Sequence, residues 1–203
     1  MIFSKLGLDI RHPSIRRALR NCQDMHKNLM KAFQGDREQA GVLYTVMKRQ
    51  DRVDVYVLSR ETPDWDALVV NGYRCTGMRD ISAMRDMYGE GSIFRFELLA
   101  CPSKKIPGDG KNSRRVFLGQ EEERKAWMER QAEKYGFRMR SLQELGRGED
   151  ILGSKGKDTI RYTAIRFSGV LEITDLAAFW DGYQSGIGPG KAYGMGMLMI
   201  SRP

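Results

Sequence analysis

The sequence has no long apolar run and few cysteines or histidines. No stretch approaches the roughly 18 apolar residues that a membrane-spanning helix needs, and the first ten residues, MIFSKLGLDI, lack the pattern of a secretory signal. The three cysteines, Cys22, Cys75 and Cys101, are odd in number and widely spaced, which is typical of reduced thiols. Two histidines and no C-x-x-C pair offer too few ligands for a structural zinc site. These absences predict a cytoplasmic protein with no membrane partner, no metal and no cofactor.

Positive charge is what the sequence has in excess. The 203 residues include 34 Lys and Arg against 26 Asp and Glu, which gives a formal net charge of +8 and an isoelectric point near 9.5. This excess favours a polyanionic partner. With 41% hydrophobic and 30% charged residues, the composition is that of a globular protein and excludes a disordered or collagen-like chain. At roughly 150 residues per domain, the length allows one large domain or two compact ones.

Hydrophobic periodicity in the first half predicts a strand followed by helices and a hairpin. The first ten residues alternate apolar and polar side chains, as a half-buried strand does. Pro13 can open one helical turn, and Asn21 can cap a second stretch in which apolar residues recur every four positions. The remaining expectations are a hairpin over 42–48 and 53–59, a short helix over 63–70, and an irregular fourth strand with a linker over 72–92.

The second half predicts the same order of elements more plainly. Phe94, Phe96 and Leu98 share one face of a strand over 93–100, and a helix over 120–135 opens with three glutamates. The further expectations are a strand over 137–142, a hairpin over 148–158, a strand over 159–174, a helix capped by Asp175, and a closing strand over 195–200. The sequence therefore predicts an α+β fold of two tandem ferredoxin-like (RRM-like, β-α-β-β-α-β) domains, residues 1–90 and residues 91–203.

Basic residues cluster in two segments of the second half. The expected loop over 101–115 carries Lys104, Lys105, Lys111, Arg114 and Arg115, and the hairpin with its following strand carries Lys155, Lys157 and Arg161. Contacts of such side chains with phosphates release counterions, so both segments are candidate RNA-binding sites. The alternatives are a solvated charged face for the first segment and a charged tip that prevents edge pairing for the second.

The string GIGPGKAYGMG, residues 186–196, is the most distinctive in the chain. Its backbone N–H groups could bind a phosphate, with Gly188, Gly190 and Lys191 as candidate RNA-binding residues. The string is not a P-loop or a dinucleotide fingerprint, because the spacing is absent and the loop precedes a terminal strand. Close packing of the loop on the sheet is the alternative explanation, and both can hold.

His26 is the candidate catalytic residue, because imidazole moves protons near neutral pH and RNA carries its own nucleophile in the 2′-hydroxyl. Lys27 and Lys31 lie four residues apart on the same expected helix and could draw a phosphate towards it. A lone histidine on a helix is more often a surface or boundary residue. A metal-dependent nuclease would need clustered carboxylates, and Asp64 with Asp66 is better explained as a helix N-terminus.

Several segments together resemble the CasE family, the CRISPR RNA-processing endoribonucleases of type I-E systems within the Cas6-like superfamily. The segments are MHKNLMKAF at 25–33, ETPDW at 61–65, FRFELLACPSKK at 94–105, ERKAWMERQAEKYGF at 123–137, FSGVLEITD at 167–175 and GIGPGKAYGMGML at 186–198. The resemblance implies an enzyme that binds a CRISPR repeat RNA stem-loop and cuts at the 3′ base of the stem. It also implies that the enzyme stays on the crRNA 3′ handle as a subunit of the Cascade complex, beside its backbone subunit.

The resemblance further implies roles for individual residues. His26 matches the family's catalytic histidine, which acts in metal-independent transesterification, and Lys31 matches a lysine that positions the scissile phosphate. Gln23 stands where well-known members carry a tyrosine, so we consider that Lys27 stabilises the developing negative charge instead. Two alternatives stay open: a catalytically weak RNA-binding structural subunit of the same complex, and a single-strand RNA binder that would stack bases on Phe94 and Phe96.

Overall fold

The computed structural model describes residues 1–107 and 113–203, which form two main β-sheets with helices packed on them. The first module consists of β1 (Ile2–Leu8), α1 (Pro13–Arg20), α2 (Cys22–Met30), α3 (Arg37–Ala40), β2 (Leu43–Lys48), β3 (Val53–Ser59), a 3-10 turn (Asp66–Asn71), β4 (Tyr73–Asp80) and α4 (Met84–Met87). The second module consists of β5 (Ile93–Ala100), β6 (Ser103–Pro107), β7 (Ser113–Phe117), α5 (Glu121–Lys134), β8 (Phe137–Glu144), β9 (Glu149–Lys155), β10 (Asp158–Ile173), α6 (Leu176–Ser185), a 3-10 turn (Lys191–Tyr193) and β11 (Leu198–Ser201).

Both main sheets have the strand order of the ferredoxin-like fold. The order is β2-β3-β1-β4 in the first module and β11-β5-β10-β8 in the second, and every pairing is antiparallel. When the four strands of each order are counted along the chain, the first and third are therefore central and the second and fourth lie at the edges. The strand β9 pairs with β10 outside this order. The expected α+β class with two tandem ferredoxin-like units is confirmed. The boundary at residue 90 stays a prediction.

Local capping signals position the helices as expected. The side chain of Asn21 accepts a hydrogen bond from the Gln23 amide at 3.0 Å, which caps α2. The side chain of Asp175 accepts one from the Ala178 amide at 2.9 Å, which caps α6. The β2–β3 hairpin and the central strand β5 also lie where periodicity predicts them.

Two segments differ from the expectation. Residues 63–70 were expected to be a short helix, and the structure has the 3-10 turn Asp66–Asn71 there. The segment 101–115 was expected to be a loop, and it instead contains β6 and β7, which pair as a separate ribbon. Lys105 lies opposite Arg115 in that ribbon, so its strands lack the apolar alternation by which a strand is recognised from sequence.

The two modules pack against each other. Leu43 and Leu58 of the first module belong to the same buried cluster as Leu98 of the second. Arg166 on β10 donates from Nη2 to the Val46 carbonyl on β2 at 3.3 Å. A cleft of about 350 Å³ lies between α1, α2, β2 and β9. No helix in residues 1–107 and 113–203 is long and apolar enough to span a bilayer.

Candidate active site

His26 lies on α2, on the side of the helix that faces the second module. Met25 and Leu29 bury their side chains in the core of the first module, and this packing fixes the rotation of the helix. The His26 ring is half-buried, and its Nδ1 is buried with no hydrogen-bond partner among the described residues. A buried nitrogen without a partner costs about 1–3 kcal/mol. Such an arrangement is typical of a functional group that is kept available for a substrate.

Tyr193 reaches His26 from the glycine-rich string of the second module. The two rings meet edge-on, with centroids 6.3 Å apart and an interplanar angle of 80°. The Tyr193 hydroxyl donates a hydrogen bond to Oε1 of Gln23, one helical turn before His26, at 3.2 Å. Tyr193 was not among the predicted site residues, although it stands in the string that was singled out for its glycines.

The conformation of the loop holds Tyr193 in place. Gly190 and Gly194 flank the 3-10 turn with φ of 82° and 85°, a region that side chains rarely adopt. The hydroxyl of Tyr44 on β2 donates to the Ala192 carbonyl at 3.1 Å, which attaches the turn to the first module. The loop therefore presents Tyr193 from a fixed backbone that both modules support.

Burial and two positive charges shift the pKa of His26. Burial lowers the pKa of His26 below its usual value, and the charges of Arg37 and Lys155 lower it further. Burial also lowers the pKa of Lys191, and Arg37 adds to that effect. The imidazole is therefore uncharged at neutral pH and able to accept a proton, while cations stand near it to attract a phosphate. Arg37, on the short helix α3, was not predicted, because nothing in the sequence links it to α2.

The lysines on α2 are arranged differently from the expectation that they flank the imidazole. An α-helix turns by about 100° per residue, so Lys27 and Lys31 project well away from the direction of His26. Both side chains are exposed, and Lys31 occupies the C-cap position of α2. Their catalytic roles stay predictions, and they would have to contact the RNA from the solvent side.

The β9–β10 hairpin carries three of the predicted RNA-binding residues. Lys155, Lys157 and Arg161 are exposed, and Arg161 forms an exposed ion pair with Asp150 at 3.2 Å. The hairpin is joined to the N-terminus of α2, because the Ser154 amide donates to Oδ1 of Asn21 at 3.3 Å. This contact places the hairpin beside the helix that carries His26.

The β6–β7 ribbon carries the other basic cluster. Lys104, Lys105, Arg114 and Arg115 are exposed, and Lys104 pairs with Glu123 at 3.1 Å. Burial raises the pKa of Tyr162, and the positive charge of Arg115 opposes that rise. The ring centroids of Tyr162 and Tyr193 are 5.9 Å apart. Phe117, the last residue of β7, packs against the same small buried cluster as these two rings. The predicted Lys111 lies outside the described residues.

Backbone conformation and close packing explain why positions 188 and 190, the two predicted phosphate-binding glycines, are glycine. Both have positive φ, 81° at Gly188 and 82° at Gly190. A Cβ atom at Gly188 would lie 3.0 Å from the Trp127 ring, and one at Gly190 would meet the Sδ–Cε end of Met195. Close packing of this loop is thus observed, and an additional role of both glycines in RNA binding stays a prediction.

The structure also shows the environment of the Asp64–Asp66 pair and of the two phenylalanines on β5. Asp64 accepts the Asp66 amide at 3.2 Å and opens the 3-10 turn, as a helix-start residue does. Across the described parts of the chain, no group of three or more His, Cys, Asp or Glu side chains could hold a metal ion. Phe94 and Phe96 are only 2% and 3% exposed, so neither ring is available to stack a base.

A histidine titration tests the electrostatics of the site. In proton NMR, His26 is expected to titrate below the usual histidine pKa of about 6.5. Removal of one nearby positive charge by Lys155→Ala is expected to raise the His26 pKa, because protonation then meets less repulsion. Lys157→Ala, two residues along the same hairpin, is the matched control and should leave the His26 pKa unchanged. With only two histidines in the chain, His12→Gln assigns the signals. An equal shift in both lysine variants would contradict the placement of Lys155.

Residues 1–202 match a protein family described as CRISPR associated protein. The CRISPR-associated endoribonuclease Cse3 of Thermus thermophilus is 30% identical over 218 residues, which cover 99% of this chain and 100% of that protein. The fold is similar to CRISPR endoribonuclease Cse3 bound to 19 nt RNA (TM-score 0.85, 28% identity, 99% of this chain and 100% of that one). It is also similar to the CRISPR-associated protein Cas6e from Escherichia coli str. K-12 (TM-score 0.76, 25% identity, 100% of both chains).

Proposed function

Because the chain belongs to the CRISPR-associated protein family, we propose that it is an endoribonuclease that binds the stem-loop of a CRISPR repeat RNA and cuts the precursor at the 3′ base of the stem. The expected resemblance to CasE endoribonucleases is confirmed by 30% identity to Cse3 along the full chain. The single observation that carries the catalytic proposal is the half-buried His26, whose Nδ1 has no partner in the described residues and whose ring stands among cations.

The proposed reaction uses the 2′-hydroxyl of the RNA as the nucleophile and the uncharged imidazole as the proton acceptor. His26 accepts the proton of the 2′-hydroxyl, and the 2′-oxygen forms a bond to the adjacent phosphorus. The bond from phosphorus to the 5′-oxygen breaks, which leaves a 2′,3′-cyclic phosphate and a 5′-hydroxyl. Lys31, Lys27, Lys191 and Arg37 are candidates to offset the charge that develops on the phosphate. The nucleophile belongs to the RNA, so we propose that the reaction proceeds without a metal ion.

We assign RNA binding to the β9–β10 hairpin and the β6–β7 ribbon. Lys155 and Lys157 of the hairpin, and Lys105 and Arg115 of the ribbon, are exposed and could contact phosphates of one stem. We further propose that the protein keeps the cut product as the crRNA 3′ handle, and that it works in the cytoplasm beside the other Cascade subunits. The free state of all three cysteines supports that location.

The second candidate function is a catalytically weak subunit that only holds the RNA. Gln23 favours it, because a carboxamide cannot take up or release a proton in the physiological range. On this alternative His26 would be a remnant, and the hairpins alone would carry the function.

A single-turnover assay separates the two functions. Excess protein is mixed with a repeat RNA in EDTA, and the products are sized and their ends identified. We expect one cut at the 3′ base of the stem and a 2′,3′-cyclic phosphate that resists phosphatase until it is opened by acid. His26→Ala protein, purified in parallel, controls for contaminating ribonucleases. Tight binding of an RNA that stays intact would support the scaffold function instead.

The contact between α2 and the β9–β10 hairpin should matter for cleavage more than for binding. A Cβ atom at Gly153 would lie 2.7 Å from both Sγ of Cys22 and Oδ1 of Asn21, so Gly153→Ala has to displace the hairpin or the two side chains at the start of α2. Small misplacements of reacting groups are costly, and we expect cleavage about tenfold slower, with RNA affinity changed less than about threefold. Gly77→Ala is the matched control, because a Cβ there meets nothing within 4 Å. Equal rates for the two variants would contradict this coupling.

A further inference from the structure

Tyr193 lies beside His26, and the reaction proposed above assigns it no role. Its ring meets the imidazole edge-on, and the residue also lines the cleft between the modules. The reaction needs two proton movements, because the 2′-hydroxyl loses a proton and the departing 5′-oxygen gains one. One imidazole accepts the first proton. A second group that holds a proton next to it is therefore chemically useful.

The hydroxyl of Tyr193 is hydrogen-bonded to Gln23, and of these two groups only the hydroxyl can transfer a proton. Gln23 is 6% exposed, and its Oε1 accepts from the Tyr193 hydroxyl at 3.2 Å. A carboxamide cannot exchange protons in the physiological range, so its part is to hold the hydroxyl in position. Rotation about the phenolic C–O bond could turn this proton from Oε1 towards an oxygen of a bound RNA.

Burial shifts the pKa values of the Tyr193 and His26 side chains in opposite directions. Burial raises the pKa of Tyr193, so the hydroxyl keeps its proton at neutral pH. Burial lowers the pKa of His26, so the imidazole is free to accept one. This difference agrees with the geometry, in which one donor and one acceptor stand side by side.

We propose that Tyr193 is a second catalytic residue, whose hydroxyl donates its proton to the 5′-oxygen as that oxygen leaves phosphorus. The inference rests on the proposed function. In the step, the 2′-oxygen–phosphorus bond forms as the phosphorus–5′-oxygen bond breaks. His26 gains the proton of the 2′-hydroxyl, and Tyr193 loses its own to the 5′-oxygen. Water then returns a proton to Tyr193 and takes one from His26, which restores the starting state.

The first test compares two neighbouring tyrosines in single-turnover cleavage. Tyr193→Phe keeps the ring and its edge-on contact but removes the proton, and we expect cleavage about 10²-fold slower with unchanged RNA affinity. Tyr162→Phe is the matched control, because its ring lies 5.9 Å from that of Tyr193 and it has no ring contact with His26 among the described residues. We expect it to cleave within about twofold of the wild-type rate. A Tyr193→Phe rate equal to that of Tyr162→Phe overturns the inference.

The second test identifies which proton Tyr193 supplies. In an RNA whose scissile 5′-oxygen is replaced by sulfur, the leaving thiolate needs no proton, because a thiol is a far stronger acid than an alcohol. We expect this RNA to restore the rate of Tyr193→Phe to near the wild-type value, and to leave His26→Ala slow. Equal slowing of Tyr193→Phe on both RNAs would mean that the hydroxyl only supports the loop. Failure of the wild-type protein to cut either RNA would instead overturn the proposed function itself.

Discussion

Replacement of His26 by alanine is expected to slow cleavage of the repeat RNA by about 10³-fold or more, with the affinity for intact RNA changed less than about threefold. The imidazole is the group at the site that is uncharged at neutral pH and free to accept a proton. The exposed basic side chains of the two hairpins are untouched by the substitution, so binding should persist.

The same substitution should not harm folding. The Nδ1 atom of His26 is buried without a hydrogen bond to any described residue, so its removal also removes an unsatisfied polar atom. Alanine is moreover the best helix former at a position inside α2. We therefore expect the melting temperature of His26→Ala to be unchanged or slightly higher, the pattern of a residue kept for activity rather than stability.

The second histidine supplies a control with the opposite pattern. Nδ1 of His12 accepts a hydrogen bond from the Ser14 amide at 3.2 Å and caps α1, which makes it a structural residue. His12→Ala should lose about 0.5–1 kcal/mol of stability and keep its cleavage rate. Thermal unfolding and single-turnover cleavage, measured on both variants, give the comparison. If His26→Ala cleaved at the wild-type rate, or if its RNA affinity fell as much as its rate, the imidazole would not be the catalytic group.

The elements that sequence predicted correctly are those set by local rules. Asn21 and Asp175 cap their helices because a short polar side chain can bond the exposed amides of the first turn, whatever the rest of the chain does. Phe94, Phe96 and Leu98 point to the core because side chains of a strand alternate between its faces. By contrast, the β6–β7 ribbon consists mostly of charged and polar residues, so its pairing could not be deduced from the pattern.

The site was predicted in part, for a similar reason. His26 could be proposed because histidine chemistry is visible in a sequence with two histidines. Tyr193 and Gln23 are 170 residues apart, and only the packing of the two modules brings their side chains together. The glycine-rich string was recognised as special, but its positive φ values and the contacts of Gly190 are features of the folded loop. The physical reason for its glycines therefore became clear only with the structure.

Gly169→Ala is expected to lower the free energy of unfolding by at least about 3 kcal/mol. Gly169 lies on β10, the central strand that pairs with both β5 and β8. A Cβ atom there would overlap the backbone carbonyl oxygen of Ser141 on β8, and it would also lie 3.1 Å from the Phe96 ring. Neither a paired strand nor a buried ring can move aside cheaply, so the clash has to separate β8 from β10.

Gly77→Ala tests whether crowding, rather than the loss of a strand glycine, causes the effect. Gly77 also lies in a strand, but β4 is an edge strand and a Cβ atom at this position meets nothing within 4 Å. We expect its stability to stay within about 0.5 kcal/mol of wild type. For a chain of this size, the loss at Gly169 corresponds to a fall in Tm of roughly 6–12 °C, which a thermal melt followed by circular dichroism would resolve. A Gly169→Ala protein as stable as Gly77→Ala would mean that β8 can shift without cost, and that the β8–β10 register is looser than the pairing of Val170 with Ser141 implies.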